Sequence, residues 1–173
     1  NISRGYIFLR QANNHYSITH EWFAPHIPRV KARQQNRPIE ELYPAVIYSL
    51  RKVGLIDAAD VQTLEDALSV ELQRQCIHSV VAFPVWKDDV LYGFVGFGEC
   101  KGQRHWTGEE VQVFYPLTGM ITSTLARLWL QGEMERQTRV TRDVLQYMDT
   151  MVYITDLETD KILFASEHLQ KSC

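Results

Sequence analysis

The stretch SVVAFPVWKDDVLYGFVGFGEC, residues 79–100, limits what this chain can fold into more than any other part of it. Two runs rich in β-branched and aromatic residues, SVVAFPVW and VLYGFVGFGE, flank the polar KDD, which is the pattern of a β-hairpin. Both runs are almost continuously apolar, so both faces of these strands are expected to be covered, as for central strands of a sheet. Gly93, Gly96 and Gly98 leave room for close approach by a neighbouring element or a small molecule. GFVGFG is not a phosphate loop: the spacing is not G-x-G-x-x-G, and no helix opens directly behind it.

The remaining elements follow from periodicity and turn chemistry. GYIFLRQANNHYSITHEW places two β-favouring runs around Asn13 and Asn14, a second hairpin. Residues 23–38 hold Pro25, Pro28 and Pro38 and read as a loop. Within it, Arg29, Lys31, Arg33 and Arg37 occur with no acid among them, either a solvated surface or a lid over an anionic ligand. The spacing of Ile39, Leu42, Tyr43, Val46, Ile47 and Leu50 predicts a helix that begins near Leu42, so that Pro44 falls in its first turn, and ends by Gly54. Val61, Leu64, Leu68 and Leu72 mark a second helix, with Cys76 as a candidate to extend the stripe. TGEE at residues 107–110 is a capping box opening a long helix. Its apolar stripe, Val111, Phe114, Leu117, Ile121, Leu125 and Leu128, shifts phase near Gly132 and continues at heptad-like spacing towards Met148, and Pro116 is a candidate kink. MVYITDLETDKILFASEHL then gives two short β-runs around DLETD and a helix start.

Composition limits the function classes. With 45% apolar and 23% charged residues the chain can bury a sizeable core, and a net charge of −3 gives no reason to expect a nucleic-acid partner. The three cysteines, Cys76, Cys100 and Cys173, form neither a CxxC pair nor a disulfide framework. No apolar run reaches the ~20 residues of a membrane span. The abrupt ends suggest a fragment of a longer polypeptide, with a cytoplasmic location expected and any anchor outside these residues.

The order hairpin, helix, helix, hairpin, capped long helix resembles the GAF domain family. RGYIF and THEW are similar to its first two strands. LQRQCIHSVVAFPVWKDDVLYGFVGFGEC is similar to its L-x-x-Q-x-I-x-S, P-[VI] and G-F-x-G-F pattern, and RHWTGEEVQVF to its W-[ST]-x-x-E entry into the last helix. From Val144 the chain resembles the start of a PAS domain. The resemblance implies an α+β fold: a central antiparallel sheet flanked by helices, with a long C-terminal helix leading into a partial PAS domain. The implied domains are a GAF domain over 1–130, lacking its first helix, a signalling helix over 131–147, and a truncated PAS start over 148–173. It also implies a sensory input module of a bacterial signalling protein, controlling an output domain for cyclic-di-GMP synthesis or breakdown. The alternatives are a ligand-free dimerisation module of a histidine kinase, or a cysteine-based redox or metal site.

Cyclic-nucleotide binding does not carry over, because the N-K-x-F-x-D-E signature is missing. Bilin attachment does not either, because neither Cys76 nor Cys100 is followed by His. No cofactor is assigned, no catalytic or metal-binding residue is expected, and the chain itself is expected to be non-catalytic. The candidate ligand-binding residues are Trp22, Tyr43, Tyr48, Trp86, Tyr92, Phe94 and Phe97 lining a cup, with Arg4, His78 and Glu99 as polar partners. Cys76 and His78 form a conceivable nucleophile–base pair, but Cys76 is expected to be a small buried hydrophobe closing its helix. The expected partners are an unidentified small molecule and a second copy bound through the terminal helix.

Overall fold

The computed structural model describes residues 2–147, 153–156, 158–159 and 161–165. The chain forms two compact units, Asn1–Ser123 and Thr124–Cys173.

In the first unit β1 (Arg4–Arg10) and β2 (Tyr16–Phe23) form the first hairpin, with Asn14 in the left-handed region at φ 63° that Asn tolerates. β4 (Ser79–Lys87) and β5 (Val90–Glu99) form the second. Asp88 and Asp89 join them with φ of 50° and 59°, as a two-residue hairpin turn of the right twist requires. All pairings are antiparallel, and the sheet order is β2-β1-β5-β4-β3. The edge strand β3 (Ile56–Ala58) is too short for the sequence pattern to reveal. Val81 faces Phe97 and Phe83 faces Val95, so residues 79–100 are the middle of the sheet, as their apolar character requires.

The two faces of the sheet carry different helices. Arg4, Tyr6 and Phe8 of β1 sit opposite Gly98, Gly96 and Phe94 of β5, with Val80 and Ala82 of β4 on the same side. That face packs with Ile39, Tyr43, Val46, Ile47, Leu50 and Leu72 from α1 (Ile39–Leu42), α2 (Pro44–Lys52) and α3 (Asp66–Arg74). Two helix starts depart from the sequence reading. The helix expected from Leu42 is divided, because the Pro44 ring disfavours helical geometry at the residue before it; Tyr43 has φ −138° and Pro44 is the first residue of α2. The helix expected from Val61 begins only at Asp66, since Val61–Thr63 form a 3-10 turn held by the Asp60 carboxylate, which accepts from the Gln62 N–H at 2.9 Å.

Cys76 is not the buried hydrophobe expected of it. It is exposed, and it takes φ 61° as the residue that ends α3. The Ile77 N–H donates to the Leu72 carbonyl at 2.9 Å and the Cys76 N–H to the Gln73 carbonyl at 2.9 Å, the two bonds of a Schellman cap, with Ile77 and Leu72 both buried. A side chain with a Cβ strains this backbone, where glycine does not. Cys76→Gly should therefore stabilise the protein by about 1 kcal/mol, read as a higher urea midpoint at unchanged slope.

The opposite face of the sheet meets the start of α4 (Gly108–Tyr147). The capping box forms as expected: the Glu110 N–H donates to Thr107 Oγ1 at 3.2 Å, and the Thr107 N–H to Glu110 Oε2 at 3.0 Å. Phe114 stacks on Phe97 at 4.5 Å and meets Phe83 and Trp106 edge-on. Phe114 and Thr118 are buried on this helix, while Leu117 and Leu128 of the expected stripe are exposed.

The second unit holds the rest of α4 from Thr124 and a hairpin of β6 (Tyr153–Thr155) and β7 (Ile162–Ala165). Tyr153 pairs with Ala165 and Ile154 with Phe164, which gives the two expected β-runs. Met148, Cys173 and the helix start expected after the second run lie outside the described residues. Among the described residues, no helix is long and apolar enough to cross a membrane.

Candidate functional site

The cup expected on the sheet lies against the face that carries α1 to α3. Its cavity measures about 50 Å³ and is walled by Tyr6, Phe8, Val80 and Phe94 of the sheet and by Ile39, Tyr43, Val46, Leu68 and Leu72 of the helical side. Three polar residues complete the wall: Gln34, Glu71 and Gln75. This is far below the ~300–1,000 Å³ of pockets for drug-sized ligands. Much of the cup is filled by its own side chains, with Phe8 and Phe94 stacked at 4.8 Å and Tyr6 edge-on to Phe8.

Of the ten candidate ligand residues, Tyr43 and Phe94 line this cavity and the other eight do not. Phe97 lies three positions from Phe94, and strand side chains alternate, so it faces α4 instead. Trp22 is 57% exposed and lies with Gly5, Ala24 and Phe97 along a shallow depression on that same face. Tyr48 is exposed on α2, and Trp86 and His78 are exposed at the two ends of β4. Tyr92 sits near the start of β5, with the Lys87 ammonium 5.2 Å from its ring centre.

Arg4 and Glu99 are buried, each in its own polar network. Arg4 is fully buried; it donates to Glu21 Oε1 at 2.8 Å, to the Pro28 carbonyl at 2.7 Å and to the Gln75 carbonyl at 3.4 Å. Glu21 also accepts from the Val30 and Lys31 amides at 2.9 and 3.1 Å. The pair thus fastens the loop of residues 24–38 to the sheet and to the end of α3. Glu99 accepts from the Ser3 hydroxyl and, at 2.9 Å each, from the Cys100 and Lys101 amides, with Arg104 3.9 Å away. Burial alone would raise its pKa, but these donors and the guanidinium outweigh it and hold the carboxyl below the ordinary glutamate value.

The two described cysteines lie in different settings, Cys76 exposed and Cys100 half-buried. Burial pushes the Cys100 thiol above its ordinary pKa despite the neighbouring Arg4, which keeps it protonated at neutral pH. Cys76 serves as a helix cap. Among the described residues, no group of three or more His, Cys, Asp or Glu side chains is placed to hold a metal ion.

The sequence reading missed the polar part of the cup. Gln34, Glu71 and Gln75 come from a loop, from α3 and from just past its end, and only the fold brings them together. The Gln34 and Gln75 carboxamides both donate to Glu71 Oε1, the latter at 3.1 Å. Arg37, the one member of the basic loop run that reaches this place, donates to the Tyr43 hydroxyl at 3.4 Å and stands 3.9 Å from Glu71 Oε2. Lys31 instead donates to the Thr19 carbonyl, and Arg29 lies over the Phe23 ring.

No family model matches the sequence. One curated relative, the methanogenesis regulatory histidine kinase FilI of Methanothrix harundinacea (strain 6Ac), is 26% identical over 141 residues, covering 77% of this chain. The chain spans 16% of that relative's length. Among solved structures, the photoproduct state of GAF3 from Slr1393 of Synechocystis sp. PCC6803 superposes with a TM-score of 0.65 at 20% identity, covering 77% of this chain and 87% of that one. The blue-light absorbing form of the Thermosynechococcus elongatus PixJ GAF domain gives 0.64 at 18% identity, covering 79% and 81%. The phycocyanobilin-bound GAF domain from a cyanobacterial phytochrome gives 0.64 at 16%, covering 75% and 78%. The antiparallel sheet, its two helical faces and the long last helix are those of these structures, and the chain has the fold of GAF domains.

Proposed function

We propose that this chain is the sensory input part of a signal-transduction protein, in which a small molecule held in the cup biases the long helix α4 and, through it, an output domain. The observation that carries this reading is the cup itself, an apolar cavity with polar groups gathered at one side of its wall. Support for the signalling role comes from the relative whose name describes a regulatory histidine kinase. That makes a kinase output better supported than the cyclic-di-GMP output expected from the sequence. A bilin, which one of the compared GAF domains carries, does not suit a cavity of about 50 Å³. Ligand binding can transmit a signal only through a difference in affinity between two arrangements of the protein.

A second reading has its own observation. The small volume fits a ligand-free spacer that dimerises through α4, where Val113, Leu117, Leu130 and Met134 are exposed. A thermal-shift panel of amino acids, short organic acids, nucleotides and haem separates the two. The sensor reading expects at least one class to raise the melting temperature, and expects Val46→Phe, which fills the cavity, to abolish the shift. If no class shifts the protein while it sediments as a dimer, the spacer reading replaces it.

A further inference from the structure

We propose that the mouth of the cup reads a zwitterion: Arg37 takes the carboxylate and Glu71 the ammonium of a small apolar α-amino acid whose side chain enters the cavity. This rests on the sensory reading above and names the ligand class for that same cup.

The argument begins with unused hydrogen-bonding capacity. Glu71 is pinned by one oxygen: Gln34 and Gln75, themselves 5% and 7% exposed, both donate to Oε1. The other oxygen, Oε2, has Arg37 Nη2 at 3.9 Å and Arg74 Nη1 at 4.0 Å. Those distances give attraction but no hydrogen bond. Among the described residues nothing donates to Oε2, although its neighbours hold it in one place. Arg37 is in the complementary condition. Its Nε is buried without a hydrogen-bond partner, and the adjacent Nη2 makes one long bond, 3.4 Å, to the Tyr43 hydroxyl. Nη2 is the guanidinium nitrogen that stands at the Tyr43 hydroxyl and the Glu71 carboxylate, so a ligand carboxylate is received there, while Nε itself is sealed from solvent. The residue is also well rooted: the Arg37 and Tyr16 backbones exchange hydrogen bonds of 2.7 and 2.8 Å.

Charge decides the ligand class. A lone anion at Arg37 would meet the Glu71 carboxylate, and a lone cation at Glu71 would meet Arg37 and Arg74. A molecule with both charges on neighbouring carbons satisfies each partner and adds no net charge to a half-buried site. The Glu71 and Arg37 side chains are 15% and 28% exposed, so these interactions are less screened than on an open surface. Size narrows the class further. The walls beyond the charged pair are Ile39, Tyr43, Val46, Leu68, Leu72 and Phe94. A volume of about 50 Å³ has room for roughly one to three carbon atoms, the side chain of alanine or valine.

The test is calorimetric titration of the 173-residue chain with L-alanine and L-valine. Each is compared with its deaminated analogue (propionate, isovalerate) and its decarboxylated analogue (ethylamine, isobutylamine). We expect the amino acids to bind at least tenfold more tightly than either analogue, with L-tryptophan excluded. Arg37→Gln and Glu71→Gln should each lose at least tenfold, the first by weakening the carboxylate contact and the second the ammonium contact. The comparison of analogues on the unmodified protein needs neither variant to fold. Isovalerate or isobutylamine binding as tightly as L-valine overturns the proposal. If no amino acid binds up to about 10 mM while another class binds in a manner abolished by Val46→Phe, the ligand class is wrong and the sensory reading stands. If no class binds, both fall.

Discussion

Glu21→Ala should destabilise the protein by about 3–5 kcal/mol, one of the two largest effects expected from a single side chain. The Glu21 side chain is 4% exposed and Arg4 is fully buried, so removing the carboxylate leaves a guanidinium without its counter-charge inside the sheet. The geometry explains why the pair forms. Arg4 faces Phe23 across the β1–β2 ladder, and Glu21 is the diagonal neighbour on the same face, within reach of two long side chains. Glu21 also holds the Val30 and Lys31 amides, so its loss frees the loop of residues 24–38 as well. Arg4→Met should cost less than Glu21→Ala, because the remaining carboxylate keeps both amide donors. Arg4→Met combined with Glu21→Leu should recover part of the loss, since a buried ion pair gains little over apolar groups of similar size. At roughly 2–4 °C per kcal/mol for a chain of this length, Glu21→Ala should melt about 10 °C lower. It should also be cut faster within residues 24–38 by a protease. A cost below about 1 kcal/mol would show that water reaches Arg4 and that the pair is not sealed.

The sheet was legible in the sequence because its signals are local. Two hairpins announce themselves through β-rich runs around Asn13-Asn14 and KDD, and the α4 start through TGEE, since each pattern has its hydrogen bonds within a few residues. The helix boundaries were less legible. Pro44 acts on the residue before it, and Cys76 occupies a left-handed position that sequence preference assigns to glycine. The site was legible only in part, for two different reasons. Phe97 was placed in the cup although strict alternation from Phe94 puts it on the other face, a signal that was present in the sequence. The Glu71 cluster carried no such signal. Gln34 and Glu71 are 37 residues apart, and polar residues in a loop and on a helix look solvent-facing until the fold packs them together.

Gly93→Ala should be the most damaging methyl group that can be added to the sheet, with a cost of about 3 kcal/mol or more, at the upper end of overpacking effects. A Cβ at this position would lie 2.1 Å from the Phe8 carbonyl oxygen and 2.9 Å from Leu9 Cδ2. The first obstacle is backbone on the neighbouring strand, which no rotamer change can clear. Gly93 pairs with Leu9 on one side and Val85 on the other, so relief requires β1 to move away from β5 in the middle of the sheet. Gly96→Ala meets the Tyr6 ring, with Cε2 at 2.3 Å, and should push that ring from its place in the cup wall. Gly98→Ala touches only Ile77 side-chain atoms at 3.2–3.3 Å, which can shift, and should cost about 1 kcal/mol. Urea unfolding of the three variants should therefore rank them Gly93, Gly96, Gly98 from most to least destabilised. Because Tyr6, which Gly96→Ala meets, belongs to the cavity wall and Ile77, which Gly98→Ala meets, does not, a ligand of the cup should lose more affinity from Gly96→Ala than from Gly98→Ala. Equal stability of Gly93→Ala and the unmodified chain would mean that β1 and β5 do not approach as described, and the pairing that places Tyr6 against Gly96 and Phe8 against Phe94 would be wrong.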